Sequence, residues 1–298
     1  MINKILYTLF FIWIRLHALL PMRTLYFLSE LLFFLIYRIV RYRVSVVRKN
    51  MRNSFPEKNK SELKKLERRF YRHFSDYIVE SIKLAGISEK ELLQRAHITN
   101  PELVFDLKDR GHTCIILLMG HYGNWEWFSG TAGRFKNAFK LNFLYKPLTN
   151  KAVDRIFLHM RTRFASFCLK KSSAAKEIIR IKRSGEPSLI IFIADQMPGK
   201  ANSYYRTTFL RQDTAMLTGA ERIACKLDLP IVFCDMRQIK RGYYEVDFRL
   251  IAEKLSATQE FEITEKFARM MEKTILRDPA LWLWTHKRWK HKFSNHTT

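Results

Sequence analysis

A histidine and a glutamate stand close together in the segment GHYGNWE (120–126), directly after a short apolar run. In a regular helix His121 and Glu126 would point about 140° apart, because each residue turns the helix by about 100°. Gly120 and Gly123 permit a tight non-helical turn instead, in which the imidazole can meet the carboxylate. A carboxylate on one ring nitrogen fixes the tautomer and raises the basicity of the other nitrogen. The segment therefore predicts a general base.

Other chemistries fit His121 less well. A zinc site needs further His or Cys ligands at metal spacing, yet HExxH is absent and neither His112 nor His159 stands in such a pattern. A serine nucleophile would need an elbow such as GxSxG, which is also absent, and Cys114 lies inside an apolar run. A purely structural histidine stays open as the alternative. We expect no metal and no cofactor, and a direct transfer in which His121 deprotonates a substrate hydroxyl or amine that attacks an activated carbonyl.

Short apolar runs supply the elements that must position this base. They are CIILLM (114–119), LNFLY (141–145), LIIFIA (189–194), PIVFCD (230–235) and YYEVDFRLI (243–251). Runs without polar alternation are typical of strands buried on both faces, and helical patterns lie between most of them. The sequence therefore predicts an α/β fold with a mainly parallel central sheet flanked by helices. Ligands of such sheets bind at the carboxyl ends of the strands, where His121, Asp195 and Gln196 would lie.

A long amphipathic helix precedes the first of these strands. Its apolar positions recur at helical spacing between residues 63 and 82, Ser61 is the expected cap and Gly86 the expected stop.

The amino-terminal region has two apolar runs, ILYTLFFIWI (5–14) and a second from residue 25 to 37. Neither reaches the roughly 18 to 20 residues of a clean membrane span. A tilted span, an in-plane hairpin broken near Pro21, and a helix pair buried against the protein all stay open. Basic residues dominate residues 1–56, where Glu30 is the single acid, and they cluster after the second run, which favours a membrane. We expect an anchor at 1–40 and an α/β domain at 41–298.

The charge of the chain points to an anionic environment. Its 53 lysines and arginines outnumber its 28 aspartates and glutamates, which gives a net charge of +25. Nucleic acid, an anionic membrane and a phosphorylated substrate would each account for this surplus. The apolar amino terminus disfavours nucleic acid, because a nucleic-acid-binding protein would carry its charge on a compact surface without such runs. Four cysteines without a CxxC pair indicate buried thiols in a reducing compartment.

The segment GHYGNWE is similar to the signature of the bacterial lipid A late acyltransferases, the lauroyl and myristoyl transferases of lipopolysaccharide assembly. These belong to the glycerolipid acyltransferase superfamily, which is marked by His-x4-Asp or His-x4-Glu. The resemblance extends from about residue 41 to residue 292. Its other segments are RYRVSVVRKNMRNSFPE (41–57), YKPLTNKAVDRIFLHMRTRF (145–164), ADQMPG (194–199) with the later TTFLRQDTAMLTGAERIACKLDLPIV (207–232), and PALWLWTHKRWK (279–290).

This resemblance implies a membrane-bound acyltransferase of lipid A biosynthesis. A fatty acyl chain would pass from acyl carrier protein, or from coenzyme A, to a hydroxyl of a lipid A precursor. His121 would be the base and Glu126 its partner, with oxyanion donors from backbone N–H groups around Gly123. The enzyme would lie at the bacterial inner membrane with its catalytic domain on the cytoplasmic side.

The resemblance also assigns substrate-binding residues. Arg161 and Arg163 would suit lipid A phosphates, and Asp195 and Gln196 would orient a substrate. The other implied contacts are Asn124 in the turn and Lys287 and Arg288 at lipid headgroups. Leu210 and Arg211 depart from the aromatic residue and glycine that the family has after Phe209. The acceptor therefore stays open, with a lysophospholipid, an aminolipid or another glycolipid as the alternative.

Overall fold

The computed structural model describes residues 2–135, 138–199, 204–256 and 258–290, with side chains from residue 11 onwards. The helices are α1 (Ile2–Leu19), α2 (Met22–Phe34), α3 (Val44–Ser54), α4 (Lys60–Lys83), α5 (Glu89–Arg95), α6 (Glu102–Asp109), α7 (Lys151–Thr162), α8 (Ala174–Ser184), α9 (Gly219–Leu227) and α10 (Glu262–Arg277). The strands are β1 (Ala96–Ile98), β2 (Cys114–Met119), β3 (Lys140–Tyr145), β4 (Ser166–Lys170), β5 (Ser188–Ile193), β6 (Tyr204–Phe209), β7 (Gln212–Leu217), β8 (Ile231–Lys240) and β9 (Tyr243–Ala252). A π-helical turn (Leu35–Ile39) follows α2, and 3-10 helices span Trp125–Phe135, Lys171–Ser173 and Pro279–Leu281.

Seven strands form one sheet in the order β1-β9-β8-β2-β5-β3-β4. Every neighbouring pair is parallel except β8 and β9, which form an antiparallel hairpin. All six residues of the central strand β2 are buried, as its unbroken apolar run requires. The predicted α/β class with a mainly parallel sheet is confirmed, and each of the five apolar runs forms a strand.

Strands β2 and β5 bring the two candidate segments together. They are parallel neighbours in register, with Met119 opposite Ile193 at their carboxyl ends. The chain leaves β2 into the turn that holds His121, and it leaves β5 at Asp195. Both side chains therefore emerge at the same edge of the sheet, as expected for an open α/β sheet.

Helix α4 packs beside this edge. Asn59 caps it, and Glu62 completes a capping box, so the predicted cap at Ser61 is wrong by two residues. The helix buries Phe70 and Tyr71 in the core and places His73 and Glu80 near the turn after β2.

The amino-terminal helices are buried on one side only. Leu25, Phe33 and Tyr37 are buried, and Tyr37 donates a 2.6 Å hydrogen bond to Glu67 of α4. The opposite side exposes a set of large apolar side chains: Ile12, Trp13, Leu16, Leu19, Phe27, Leu31, Phe34, Leu35, Ile39, Val40 and Tyr42. Among the helices of the described chain, none combines the length and the apolar character needed to cross a membrane. The boundary between residues 40 and 41 stays a prediction.

Candidate active site

The turn after β2 is held in place by the carboxyl-terminal segment. Gly123, at φ +59°, donates its backbone N–H to Leu281 over 3.0 Å, and Leu283 donates to the carbonyl of His121 over 3.1 Å. Tyr122 and Trp282 form an antiparallel bridge between these two contacts. The Gly123 N–H therefore already has a backbone partner and does not face a substrate as an oxyanion donor.

A buried aspartate orients the imidazole of His121. The His121 Nδ1 atom lies 2.6 Å from Asp195 Oδ1, and Trp282 donates its indole N–H to Asp195 Oδ2 over 2.7 Å. Asp195 is only 2% exposed. Burial opposes ionisation of this carboxyl, but His121 and Trp282 outweigh burial and lower its pKa to about 2. An ionised Asp195 fixes the tautomer with the proton on Nδ1, which leaves the lone pair on Nε2.

Gln196 occupies the other side of the ring. Its side-chain nitrogen lies 3.2 Å from His121 Nε2, so the amide donates to the lone pair. The Trp125 ring packs edge-on against the imidazole at a centroid distance of 5.0 Å. His121 thus has one nitrogen fixed by a carboxylate and the other presented to a polar group at the sheet edge.

Glu126 does not take the position next to His121 that the sequence suggested. Its carboxylate accepts two hydrogen bonds from Arg161 of α7, at 2.6 and 2.8 Å, and Asp195 holds the His121 ring instead. The Glu126 carboxyl is buried, which opposes its ionisation, but Arg161 outweighs burial and lowers its pKa. His121 lowers the pKa of Glu126 further. Glu126 therefore interacts with His121 through its charge and forms a bidentate ion pair with Arg161.

The remaining predicted binding residues contact the protein. Arg163 donates to the carbonyls of Leu84 and Ile87 over 3.0 and 2.6 Å. Asn124 is fully buried and donates to Glu80 over 2.8 Å. Of the predicted binding residues, only Asp195 and Gln196 contact His121 directly.

A small apolar cleft, with a volume of about 10 Å³, lies beside the Trp125 ring that packs on His121. Helix α4, Trp125 and the carboxyl-terminal segment form its walls. Its lining residues are Phe70, His73, Phe74, Tyr77, Trp125, Leu281, Trp282 and Leu283. Burial lowers the pKa of His73 to about 4, so this imidazole is neutral at neutral pH. The cleft therefore presents an almost uncharged surface close to the His121 ring, which Trp125 contacts.

The sequence did not predict the contact of Trp282 or the burial of Arg288. Trp282 stands in the quoted segment PALWLWTHKRWK, but nothing in its spacing connects it with Asp195. Arg288 was predicted at a headgroup surface, and the structure instead buries it to 2% exposure. In the described part of the chain, no three His, Cys, Asp or Glu side chains come together as ligands for a metal ion.

The sequence model of one protein family, described as bacterial lipid A biosynthesis acyltransferase, matches residues 2–291. The chain belongs to this family. The resemblance drawn from the sequence segments is thereby confirmed over nearly the whole chain. Membership in the bacterial lipid A biosynthesis acyltransferase family makes the protein an acyltransferase, whose reaction needs an acyl donor and a lipid acceptor. A search of curated proteins found no significant match.

Proposed function

We propose that this acyltransferase moves a fatty acyl chain from the thioester of acyl carrier protein to a hydroxyl of a lipid A precursor, with His121 as the general base. The 2.6 Å contact between His121 Nδ1 and Asp195 is the observation that carries this proposal. It gives the imidazole the arrangement of a base, with an ionised partner on one nitrogen and a lone pair on the other.

The reaction follows from this arrangement. The acceptor hydroxyl replaces Gln196 as the partner of His121 Nε2 and transfers its proton there. The hydroxyl oxygen attacks the thioester carbonyl, and the tetrahedral intermediate collapses with cleavage of the C–S bond. The departing thiolate takes the proton back from the imidazolium. Asp195 stabilises the imidazolium between these two proton transfers.

Glu126 has a supporting role in this proposal. Its charge lies close enough to His121 for the imidazole to lower the pKa of the Glu126 carboxyl. Its bidentate bond to Arg161 also ties α7 to the 3-10 helix that follows the turn. The His-x4-Glu pair would therefore act through charge and position, with the direct contact supplied by Asp195.

The apolar cleft and the charge of the protein suit the two substrates. The aromatic and leucine side chains that line the small cleft form an apolar surface against which an acyl chain can pack. Acyl carrier proteins are acidic, so a protein with a net charge of +25 would attract them electrostatically. The charge suits acyl carrier protein, the donor of this proposal, and coenzyme A is the alternative donor.

We further propose that the exposed apolar side of residues 12–42 lies on the cytoplasmic face of the inner membrane. Exposed basic residues border it and suit anionic headgroups. They are Arg23, Arg38, Arg41, Lys49 and Arg52. Such an arrangement inserts apolar side chains at the interface without a spanning helix.

A transfer assay tests the function. Purified enzyme receives acyl carrier protein charged with a fatty acyl chain, and a lipid A precursor, a lysophospholipid and an aminolipid compete as acceptors. Mass spectrometry of the products should show acylation of the lipid A precursor, a large loss in His121→Ala, and unchanged activity in His97→Ala, an exposed histidine of β1. Full activity of His121→Ala, or transfer to another acceptor alone, would contradict the proposal.

A further inference from the structure

Arg288 is a buried cation with unused donors. Its side chain is 2% exposed, and Nη2 donates to the carbonyl of Ala215 over 2.6 Å and contacts Met216 Sδ at 2.9 Å. The Nε and Nη1 atoms are buried without a hydrogen-bond partner among the residues that the structure describes. Burying a charged donor without a partner is costly, so native proteins rarely keep one unless a ligand completes it.

A second unpartnered nitrogen lies close to Arg288. The Nδ1 atom of His286 is also buried without a partner in the described chain. Arg288 donates its backbone N–H to His286, and His286 donates to Leu283. Leu283 in turn donates to the carbonyl of His121, so His286 lies on the segment that contacts the candidate site. Burial and the positive charge of Arg288 lower the pKa of His286 to about 4, so its ring is neutral at neutral pH.

Arg43 connects this buried group with the surface. It is exposed, and its Nη1 atom donates to the carbonyl of Thr285 over 3.0 Å. Arg288 and His286 lie on the segment whose Leu283 donates to the backbone of His121. Arg43 binds the same segment from the surface. The three side chains offer unpaired or surface-facing nitrogen donors and a net positive charge, which is the chemistry that binds a phosphate group.

The arginines first expected at substrate phosphates are engaged elsewhere. Arg161 is paired with Glu126, and Arg163 is bound to backbone carbonyls. We infer that Arg288, with His286 and Arg43, binds a phosphate group of a substrate beside His121. This inference rests on the proposed function and names the recognition element of the same site. The phosphate can come from the acceptor lipid or from the phosphopantetheine arm of the donor.

The hairpin of β6 and β7 packs over this site. It covers Arg288 through Ala215 and Met216, and Trp289 donates to Thr214 over 2.7 Å. The two strands pair with each other and form a sheet separate from the seven-stranded one. A phosphate that enters between the hairpin and residues 285–288 therefore disturbs no bond of the main sheet.

Steady-state kinetics with matched substrates test the inference. The acceptor is used with and without its phosphate groups, and the donor is used as an acyl thioester of 4′-phosphopantetheine or of pantetheine, which differ only in the phosphate. One phosphate-bearing substrate should show a KM lower by about 10- to 100-fold than its phosphate-free counterpart in the wild type. Arg288→Gln should remove this difference, while Arg237→Gln, an exposed arginine paired with Glu245, should keep it. The pair that responds identifies the source of the phosphate.

A binding measurement covers the case in which Arg288→Gln does not fold. Inorganic pyrophosphate should raise the melting temperature of the wild type and inhibit transfer competitively, and His286→Ala should weaken both effects. A wild type that transfers the acyl chain with equal KM for phosphorylated and phosphate-free forms of both substrates would overturn the inference. A wild type without transfer activity would instead overturn the proposed function. In that case the inference would be decided by pyrophosphate binding alone, which Arg288→Gln should weaken relative to the wild type.

Discussion

Asp195 Oδ1 lies 2.6 Å from His121 Nδ1, although 74 residues separate the two in the chain. The contact arises because β2 and β5 are parallel neighbours in register and end at the same edge of the sheet. Trp282 holds the second oxygen of the carboxylate, so the aspartate cannot rotate away from the ring. The sheet thus supplies a rigid support for the base, which loops alone would not give.

Substitution of the aspartate tests this contact. Asp195→Asn keeps the size of the side chain but removes the charge that fixes the tautomer, so kcat should fall by about 10²- to 10⁴-fold. Circular dichroism should show a folded protein. Asp213→Asn, at an exposed aspartate of β7, serves as the control and should leave kcat unchanged. A kcat for Asp195→Asn within threefold of the wild type would show that Asp195 does not support the base.

The ion pair of Glu126 and Arg161 should contribute to the stability of the fold. The side chains are 6% and 22% exposed, so removing one partner leaves a largely buried, unpaired charge. Glu126→Gln and Arg161→Gln should each lower the free energy of unfolding by about 3 kcal/mol. The double variant should lose less than the sum of the two, and urea denaturation of all four proteins measures this coupling. Strictly additive losses would show that the pair contributes no coupling energy.

Stability should depend on pH through Glu80. This carboxyl is fully buried and accepts hydrogen bonds from Tyr26, Asn124 and Tyr244, at 2.9, 2.8 and 2.9 Å. Burial, opposed by these bonds, raises its pKa to about 7. The folded protein therefore keeps a proton that the unfolded chain releases above pH 4.5, and the free energy of unfolding falls as pH rises from 4.5 to 7.

The variant Glu80→Gln lacks this titration. The stability of the wild type relative to Glu80→Gln should fall by up to about 3 kcal/mol between pH 4.5 and 7 and then level off. Denaturant titrations at several pH values give the comparison, with Glu260→Gln at an exposed position as the control. A stability difference that stays constant over this range would contradict the assignment.

Membrane binding should depend on the exposed side of α2. Phe27 and Leu31 are 65% and 55% exposed there, and a charge at either position opposes insertion among lipid headgroups. The double variant Phe27→Glu/Leu31→Glu should lose most of its co-sedimentation with vesicles that contain anionic lipid. Leu276→Glu changes a residue of α10 with 56% exposure and should bind like the wild type. Equal losses in both proteins would indicate that this side of α2 has no special part in binding.

The strand pattern of the central sheet was predictable because its apolar runs leave no alternative to burial. The strand β4 and the hairpin of β6 and β7 were not predicted. Strand β4 lies at the edge of the sheet, and the hairpin mixes threonine, arginine and aspartate, so neither has the unbroken apolar pattern of a central strand. Their existence depends on tertiary packing that a local pattern does not contain.

The candidate site was also predicted in part, because some of its features follow from local patterns and others depend on tertiary structure. The sequence placed His121, Asp195 and Gln196 at one edge of the sheet, because the strand ends can be located from the apolar runs. It assigned Glu126 as the direct partner of His121, because Glu126 is the acidic residue nearest to His121 in the sequence. The register between β2 and β5 decides which carboxylate reaches the imidazole, and no spacing within a single segment reports that register.

The hydrogen bonds between the turn after β2 and the segment that holds Trp282 also determine when the site is completed during synthesis. The strands that carry His121 and Asp195 leave the ribosome well before Trp282 does. Until then the growing chain lacks the second hydrogen bond to Asp195 and the backbone contacts that pin the turn. A nascent polypeptide that has not reached Trp282 therefore lacks one of the two hydrogen bonds that hold the Asp195 carboxylate beside His121. The candidate site is completed only when residues 281–283 have folded against the turn.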